Sequence, residues 1–378
     1  MKKILNKHNN KIFISIIIFL IGLSIFYSRF FLFNKINLNY LEDLYSHSQW
    51  SMPLSTRIMS DNSLYQVSGN RLIEGASAFS ISPEVPPIGK YFYGLGIYLW
   101  GNPYLFSLIL YVVSILLFSA ISLKIFKNQK LAKAAILLFV LSPILSTQIS
   151  QTMMDLFQLT FLLAHVLCLL HLNSTKNKNL NPITLSGIFL GLFAASKIPV
   201  LLPLILLVDI YFLKKIKKTS YFIPITLIAG AVYFASYIPT LIIDRMSFID
   251  WLKAQLWMVN FYKSSLVKNS SINYLASLFF GQYMGWWKDS HWSFISEWTI
   301  IWPISIIASL KLALNQFMKK PYSKEIIYVT YLGIAFIFIW LFIPFWSRYF
   351  LLAIPFLIIS LVEFFKNKKH FLSILTII

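Results

Sequence analysis

Charge is scarce in this chain. Asp, Glu, Lys and Arg make up only 12% of its 378 residues, about half the share of a soluble domain. Acid is the scarcer sign, with 13 Asp and Glu against 33 Lys and Arg. A single cysteine, Cys168, excludes an internal disulfide and a cysteine-built metal cluster. It lies inside an apolar run and reads as a small packing residue. No His/Cys spacing suggests zinc, and no internal repeat, low-complexity tract or separate soluble domain is visible. The remainder is apolar and aromatic. Hydrophobic residues make up 58%, with 34 Phe, 20 Tyr and 11 Trp, and the mean hydropathy is +0.70. A soluble globule is excluded, and the composition is that of a polytopic membrane protein. The net charge of +20 would suggest nucleic acid in a soluble protein. In a membrane protein it is explained by lysines retained on the cytoplasmic side, and no nucleic-acid-binding motif accompanies it.

Apolar runs long enough to span, about 17–25 residues each, occur near 12–33, 103–123, 131–149, 153–172, 220–243, 298–314, 326–344 and 347–365. The stretch 183–212 is too long for one helix, and Lys197-Ile198-Pro199 divides it into two short helices. The basic start and the run at 12–33 resemble a signal peptide. The run is too long for one and no small-residue cleavage site follows, so it reads as an uncleaved first helix. The end, HFLSILTII, reads as the beginning of a further span, either partial or truncated. The expected fold is all-α and polytopic, a single transmembrane domain over 1–378 with about ten or eleven transmembrane helices and large loops at 34–102 and 244–297. With the N-terminus in the cytoplasm, the short inner loops collect most of the basic residues. They hold Lys2, Lys3, Lys7 and Lys11; Lys124, Lys127, Lys130 and Lys133; Lys176 and Lys178; Lys214, Lys215, Lys217 and Lys218; Lys311, Lys319, Lys320 and Lys324; and Lys366, Lys368 and Lys369. This agreement with the positive-inside rule requires the break at Lys197.

The outer side then gathers the unusual residues. Segment 81–102, ISPEVPPIGKYFYGLGIYLWGN, is too polar and too rich in Pro and Gly to cross a bilayer. It sets a proline pair between Glu84 and Lys90, a stiff charged structure at the lipid interface. Residues 61–75 predict a short amphipathic helix with Asp61 as its N-cap and Leu64, Val67 and Leu72 on one stripe. In 244–297, Trp251, Trp257, Trp286, Trp287, Trp292 and Trp298 predict one or two helices lying on the membrane surface, with a loop at 264–273. Asp61, Glu84, Lys90, Asp155, Lys197 and Arg348 all fall on this side. Ionisable groups at membrane depth are costly and tend to line a cavity or substrate path, so their convergence predicts an outer-face site. Each also has a plainer reading: a helix cap for Asp61 or Asp155, an exposed loop acid for Glu84, headgroup contacts for Lys90, Lys197 and Arg348. His165 and His171 read as packing or interfacial residues. His291, beside Lys288 and Asp289, lies outside and within reach of a substrate.

DNSLYQVSGNRLIEG followed by PEVPPIGKYFYGLGIYLWGN resembles the first outer loop of GT-C glycosyltransferases, of the protein O-mannosyltransferase and aminoarabinose-transferase type. In that family an acid opens the loop, a Pro-Pro-Leu-Gly-Lys-like motif follows, and an amphipathic stretch ends near Gly. Here these are Asp61, then Val85-Pro86-Pro87-Ile88-Gly89-Lys90, then Leu99-Trp100-Gly101. Three further segments follow in order: ILSTQISQTMMDLFQLTFLL with Asp155, LSGIFLGLFAASKIPVLLP with Lys197, and SRYFLLAIP with Arg348 and Tyr349. Asn62 stands where the family usually has Glu, and Val85 where it has His or Lys. Glu42-Asp43 is an alternative acid pair.

The resemblance implies transfer of a sugar, mannose or a related one, from a polyprenyl-phosphate carrier to an acceptor hydroxyl on the outer side. Such a donor has a good leaving group. The step needs one base for the acceptor proton and cations for the phosphate. Asp61 is the expected base, with Glu42 or Asp43 as alternatives. Lys197 and Arg348 are the expected phosphate clamps, with Lys90 a weaker one. Asp155 and Glu84 could position sugar or acceptor, or bind a divalent cation (Mg or Mn) together with Asp61. The expected acceptor is a protein, lipid or glycan, and no nucleic acid. Ile, Lys, Asn and Phe usage points to a prokaryotic plasma membrane. The rival readings are a transporter or flippase, or a non-catalytic binder of lipid-linked sugars.

Overall fold

The computed structural model describes residues 2–174, 181–264, 271–284, 291–318, 322–342 and 346–366. Trp286, Trp287, Lys288 and Asp289, part of the loop expected at 264–273, Lys176, Lys178, Lys319, Lys320, Lys368 and Lys369, and the C-terminal HFLSILTII lie outside them. The chain begins with α1 (Lys2–Phe33), a short α2 (Leu38–Ser46), then α3 (Asp61–Ile73) and α4 (Ile88–Trp100). The central helices are α5 (Tyr104–Ile125), α6 (Gln129–Val140), α7 (Pro143–Ser146) and α8 (Asp155–Ser174), followed by α9 (Asn181–Ser196), α10 (Leu202–Lys215), α11 (Phe222–Ala235) and α12 (Ile238–Ile243). Next come α13 (Phe248–Ser264), α14 (Ser271–Phe280) and an antiparallel hairpin of β1 (Gln282–Met284) and β2 (Trp292–Phe294). Finally α15 (Ile301–Phe317), α16 (Lys324–Ile339) and α17 (Ile354–Phe365) complete the bundle.

Among the described residues, three helices are long and apolar enough to cross a bilayer alone: Asn10–Phe33, Tyr104–Ile125 and Asp155–Asn173. The pair α6 and 143–150 is long and apolar enough only when taken together, as a broken span or a re-entrant loop, and bends by 57° at Ser142-Pro143, where proline cannot continue the backbone ladder of α6. Shorter apolar helices fill the rest, and the 183–212 stretch does divide at Lys197 into α9 and α10. Burial ranks the spans by position. Only 11% of the apolar window of α1 is buried against 78% of that of α8. Helix α8 is therefore the axis, and α1 lies on the rim with Ile18, Phe19 and Phe30 turned outward.

Two joints fix the first loop against the bundle. Helix α4 ends at Gly101, whose φ of +67° suits a residue without Cβ. The next residue, Asn102, caps α5 by accepting from the Tyr104 N–H at 2.8 Å, while its Nδ2 donates to the carbonyls of Phe31, Leu32 and Asn34. One side chain so ties the end of α1 to the start of α5. Helices α3 and α4 cross with their backbones in contact. A Cβ on Gly94 would lie 2.0 Å from the Gly69 carbonyl oxygen.

Several expectations change. Asp61 is the first residue of α3 and Ser60 is its cap, its Oγ accepting from the Ser63 N–H at 3.3 Å. Leu64, Val67 and Leu72 are buried, but so are Tyr65, Gln66, Ser68 and Gly69, so α3 is enclosed on all faces through 64–69 and is not the amphipathic interfacial helix expected. Trp251 is not a surface anchor: it is 8% exposed and packs edge-on against Phe234 and Tyr237. Trp257 and Trp292 are exposed. The pairing of β1 with β2 stands where the sequence predicts only surface helices. The final run begins as a 3-10 turn, Ser347–Leu352, before α17.

Candidate active site

Four of the six expected residues meet at one end of the bundle, and three of them, Asp61, Asp155 and Lys197, sit where the backbone favours their charge. Asp61 and Asp155 open α3 and α8, where unsatisfied N–H groups and the helix dipole favour an anion. Lys197 follows the last residue of α9, the end that favours a cation. Arg348 lies in the 3-10 turn before α17.

Arg348 is the hub. Its Nη2 donates to Asp61 Oδ2 at 3.0 Å, and its Nε lies 3.5 Å from Asp155 Oδ2, an ion-pair distance without hydrogen-bond alignment. Lys197 Nζ donates to the same Asp155 oxygen at 2.7 Å. It also lies 4.7 Å from the ring centre of Tyr349, which stacks on the buried Trp340. The quartet is graded in depth. The Asp155 side chain is fully enclosed and that of Lys197 is 3% exposed, whereas Arg348 is 19% and Asp61 36% exposed. A ligand arriving from outside meets Asp61 and Arg348 first. Lys197, expected as a phosphate clamp, stands behind Asp155. Asp155 Oδ1 is buried and has no hydrogen-bond partner among the described residues, an arrangement that costs free energy unless a ligand or water satisfies it.

Uncharged residues hold the two acids in register. Asn62 Oδ1 accepts from the Thr152 N–H at 2.7 Å and its carbonyl accepts from Thr152 Oγ1 at 2.8 Å. Gln66 Nε2 donates to Thr152 Oγ1 and to the Tyr104 hydroxyl. Tyr93 donates to the Met153 carbonyl and Ser107 to that of Gln151. The segment before Asp155 is thus clamped by α3, α4 and α5. Sequence reasoning marked Asn62 only as a departure from Glu. The other clamps carried no signal, because a polar residue in an apolar run does not reveal its partner.

Glu84 and Lys90 occupy a different place. Lys90 is completely buried and its Nζ donates to the carbonyls of Ser82 at 2.7 Å and Ile81 at 3.4 Å. Ser82 donates its hydroxyl to Glu84 at 2.7 Å and adopts a left-handed φ of +55°, a strained conformation for a residue with a Cβ. Burial lowers the Lys90 ammonium to about 8, with Glu84 opposing the shift. No hydrogen bond or ion pair joins Lys90 to the quartet; it pins the turn that leads into the proline pair. The alternative acids are engaged elsewhere. Glu42 takes Arg71 at 2.5 Å, and Asp43 takes Arg57 at 3.4 Å and His47 at 3.2 Å. Asp61 and Asp155 flank a guanidinium, and among the described residues no three His, Cys, Asp or Glu converge. His165 is buried in a separate network: Nε2 lies 2.9 Å from Asp209, Nδ1 lies 3.0 Å from the Ser186 carbonyl, and Tyr328 donates to Asp209 at 2.8 Å.

Comparison with solved structures finds the same fold in ArnT from Cupriavidus metallidurans bound to undecaprenyl phosphate. The TM-score is 0.63 at 12% identity, over 97% of this chain and 62% of that one. Its apo state gives 0.58 at 12% identity, over 84% and 57%. The archaeal oligosaccharyltransferase AglB from Archaeoglobus fulgidus, in complex with an inhibitory peptide and a dolichol-phosphate, gives 0.56 at 13% identity, over 98% and 52%. This chain therefore spans about three-fifths of the length of ArnT. No curated protein matches the sequence. The family model of glycosyltransferase family 87 matches residues 87–362, a span that includes Asp155, Lys197 and Arg348 and begins after Asp61. With that match over most of its length, on an apolar helical bundle of GT-C type, the chain belongs to glycosyltransferase family 87.

Proposed function

We propose that the protein transfers a mannose-like sugar from a polyprenyl-phosphate carrier to a hydroxyl of a protein, lipid or glycan, with inversion. The site would face the outside of a prokaryotic plasma membrane, opposite the lysine-rich turns. The observation that carries the reading is the placement of Arg348 against Asp61 at the accessible edge of the charged quartet. A guanidinium there suits a phosphate, which it can grip through two N–H groups. Support for the class of donor comes from the polyprenyl and dolichol phosphates bound by the two structural relatives.

The step requires little. Asp61 accepts the proton of the acceptor hydroxyl as its oxygen bonds to the anomeric carbon. The bond from that carbon to the phosphate oxygen breaks, and its electron pair leaves on the polyprenyl phosphate, held by Arg348. Asp155 keeps the guanidinium from turning away, and Lys197 neutralises Asp155 in a setting where an unpaired charge would be expensive. A divalent cation between Asp61 and Asp155 would have to share that space with Arg348. Loss of transfer on adding EDTA, restored by Mg, would show that it does.

The test supplies labelled undecaprenyl-phosphate sugars to the purified protein in nanodiscs. Asp61→Asn is expected to lower turnover by roughly 10²–10⁴-fold while undecaprenyl phosphate still binds. Undiminished transfer by that variant removes Asp61 as base. Saturable carrier binding with no transfer to any acceptor favours a non-catalytic binder, and movement of the carrier between leaflets favours a flippase.

A further inference from the structure

A cavity of about 280 Å³ opens beside the quartet, between α14, the 282–294 hairpin and the turn at Trp346-Ser347. Trp346 is a shared wall: it lines the cavity, and its ring centre lies 5.3 Å from Arg348 Cζ. The volume is too small for a polyprenyl chain and lies at the lower limit of small-molecule pockets. Its lining mixes aromatic faces, Tyr274, Tyr283 and Trp346, with hydrogen-bonding groups, Asn273, Ser296 and Glu297.

The floor is built. Asn273 exchanges two hydrogen bonds with the backbone of Met284, Oδ1 accepting at 2.8 Å and Nδ2 donating at 3.3 Å. Tyr274 donates to the Ile337 carbonyl, and Ser277 donates to the Gln282 carbonyl at 3.1 Å. Against this floor Glu297 is half-buried and makes no ion pair with a described residue, and it is the one carboxylate in the lining. Among the described residues, no cation lines the cavity to receive a phosphate or to neutralise Glu297. A carboxylate that can accept from two neighbouring hydroxyls, next to flat rings that cover C–H faces, is the chemistry that recognises a pyranose.

We propose that this cavity is a monosaccharide subsite in which Glu297 accepts hydrogen bonds from sugar hydroxyls and Tyr283 or Trp346 covers the ring. The inference rests on the reading of Arg348 as the phosphate clamp. The sugar could be the one carried by the donor or the terminal residue of a glycan acceptor, and kinetics separate the two.

The experiment uses the full chain in nanodiscs. Glu297→Ala removes the carboxylate, and Ser296→Trp fills the cavity without touching it. Both are checked for monodispersity beside Arg348→Ala. The measurements are binding of undecaprenyl phosphate without sugar, and KM for each substrate with undecaprenyl-phospho-mannose and undecaprenyl-phospho-glucose as donors. The expected result is a KM raised at least tenfold by Glu297→Ala and Ser296→Trp, with carrier binding within twofold of wild type. A raised donor KM assigns the donor sugar, and a raised acceptor KM assigns the acceptor. If both variants leave every KM within twofold while Arg348→Ala loses carrier binding, the subsite is overturned and the reading of Arg348 stands. If wild type transfers nothing, or Arg348→Ala binds and transfers like wild type, the reading falls and the subsite with it.

Discussion

At the scale of single residues, the proposed function separates one acting carboxylate, Asp61, from charges that hold. Asp61 is the carboxylate that both touches Arg348 and remains open to solvent, whereas Glu42 and Asp43 are engaged by Arg71 and Arg57. Asp43→Asn is accordingly expected to leave transfer within about threefold of wild type, the range of an ordinary surface substitution of about 0.5 kcal/mol. Initial rates check this. Lys90 gives a prediction with a defined sign. Its folded value of about 8 lies below its ordinary value because burial disfavours the ammonium. Below pH 8 both states carry the proton and the folded state bears the burial cost. As pH rises from 8 towards the ordinary lysine value, the folded state releases the proton while the unfolded state keeps it, so stability increases. The Tm of wild type minus that of Lys90→Met, measured at pH 7.5 and 9.5, should therefore move in favour of wild type. A difference that stays flat or moves the other way would refute a neutralised lysine. Asp155, Lys197 and Arg348 were legible in the sequence because a charge within an apolar run needs a partner and few were on offer. The holding role of Lys90 was not, because its partners are the carbonyls of Ile81 and Ser82 and carbonyls are the same in every residue.

At the scale of elements, two contacts decide whether the quartet assembles. The crossing of α3 and α4 brings Gly69 and Gly94 together. Gly94→Ala must push the helices apart, since a Cβ would overlap the Gly69 carbonyl, a backbone atom unable to step aside. Overpacking of this kind costs about 1–3 kcal/mol. The expected readout is a lower Tm and a loss of turnover greater than that of Gly22→Ala, whose Cβ meets nothing within 4 Å. The other contact is the interior pair of His165 on α8 and Asp209 on α10, joined by Tyr328 of α16. Leaving one partner of a buried hydrogen-bonded pair unsatisfied costs about 1–3 kcal/mol, whereas replacing both by apolar groups can be near neutral. Asp209→Leu should therefore destabilise more than the double variant His165→Leu/Asp209→Leu, and a double variant that is worse than the single would show that the network is no pair. His165 was legible only as a packing residue, because its partner lies 44 positions away in a run of aliphatics. The break at Lys197 and the existence of a helix at α3 were readable from proline placement and periodicity, whereas the enclosure of α3 on all faces was not. The cap by Ser60 and the small hairpin were not, since both depend on which neighbour the backbone finds in space.

At the scale of the whole molecule, the bundle sets its site at one end and its lysine-rich turns at the other. Helix α10 runs from the Lys197 break to Lys214 and Lys215, so a label should reach Ser60→Cys from one side of the membrane and Thr219→Cys from the other. The lone Cys168 is first replaced by Ala. Labelling of both positions from the same side in sealed vesicles would overturn the arrangement. The central α8, sheathed by its neighbours, supplies Asp155 from a position that solvent does not reach. The grading of the quartet has one further outcome. Two carboxylates and two cations sum to zero, so the resting site is a closed circuit in which the accessible Asp61 carboxylate is occupied by its own counter-ion. Under the proposed function, an incoming carrier headgroup would compete for Arg348 and, in winning it, release Asp61. The proposed function then predicts a compulsory order of addition, carrier first and acceptor second, which initial-rate kinetics with both substrates varied would check.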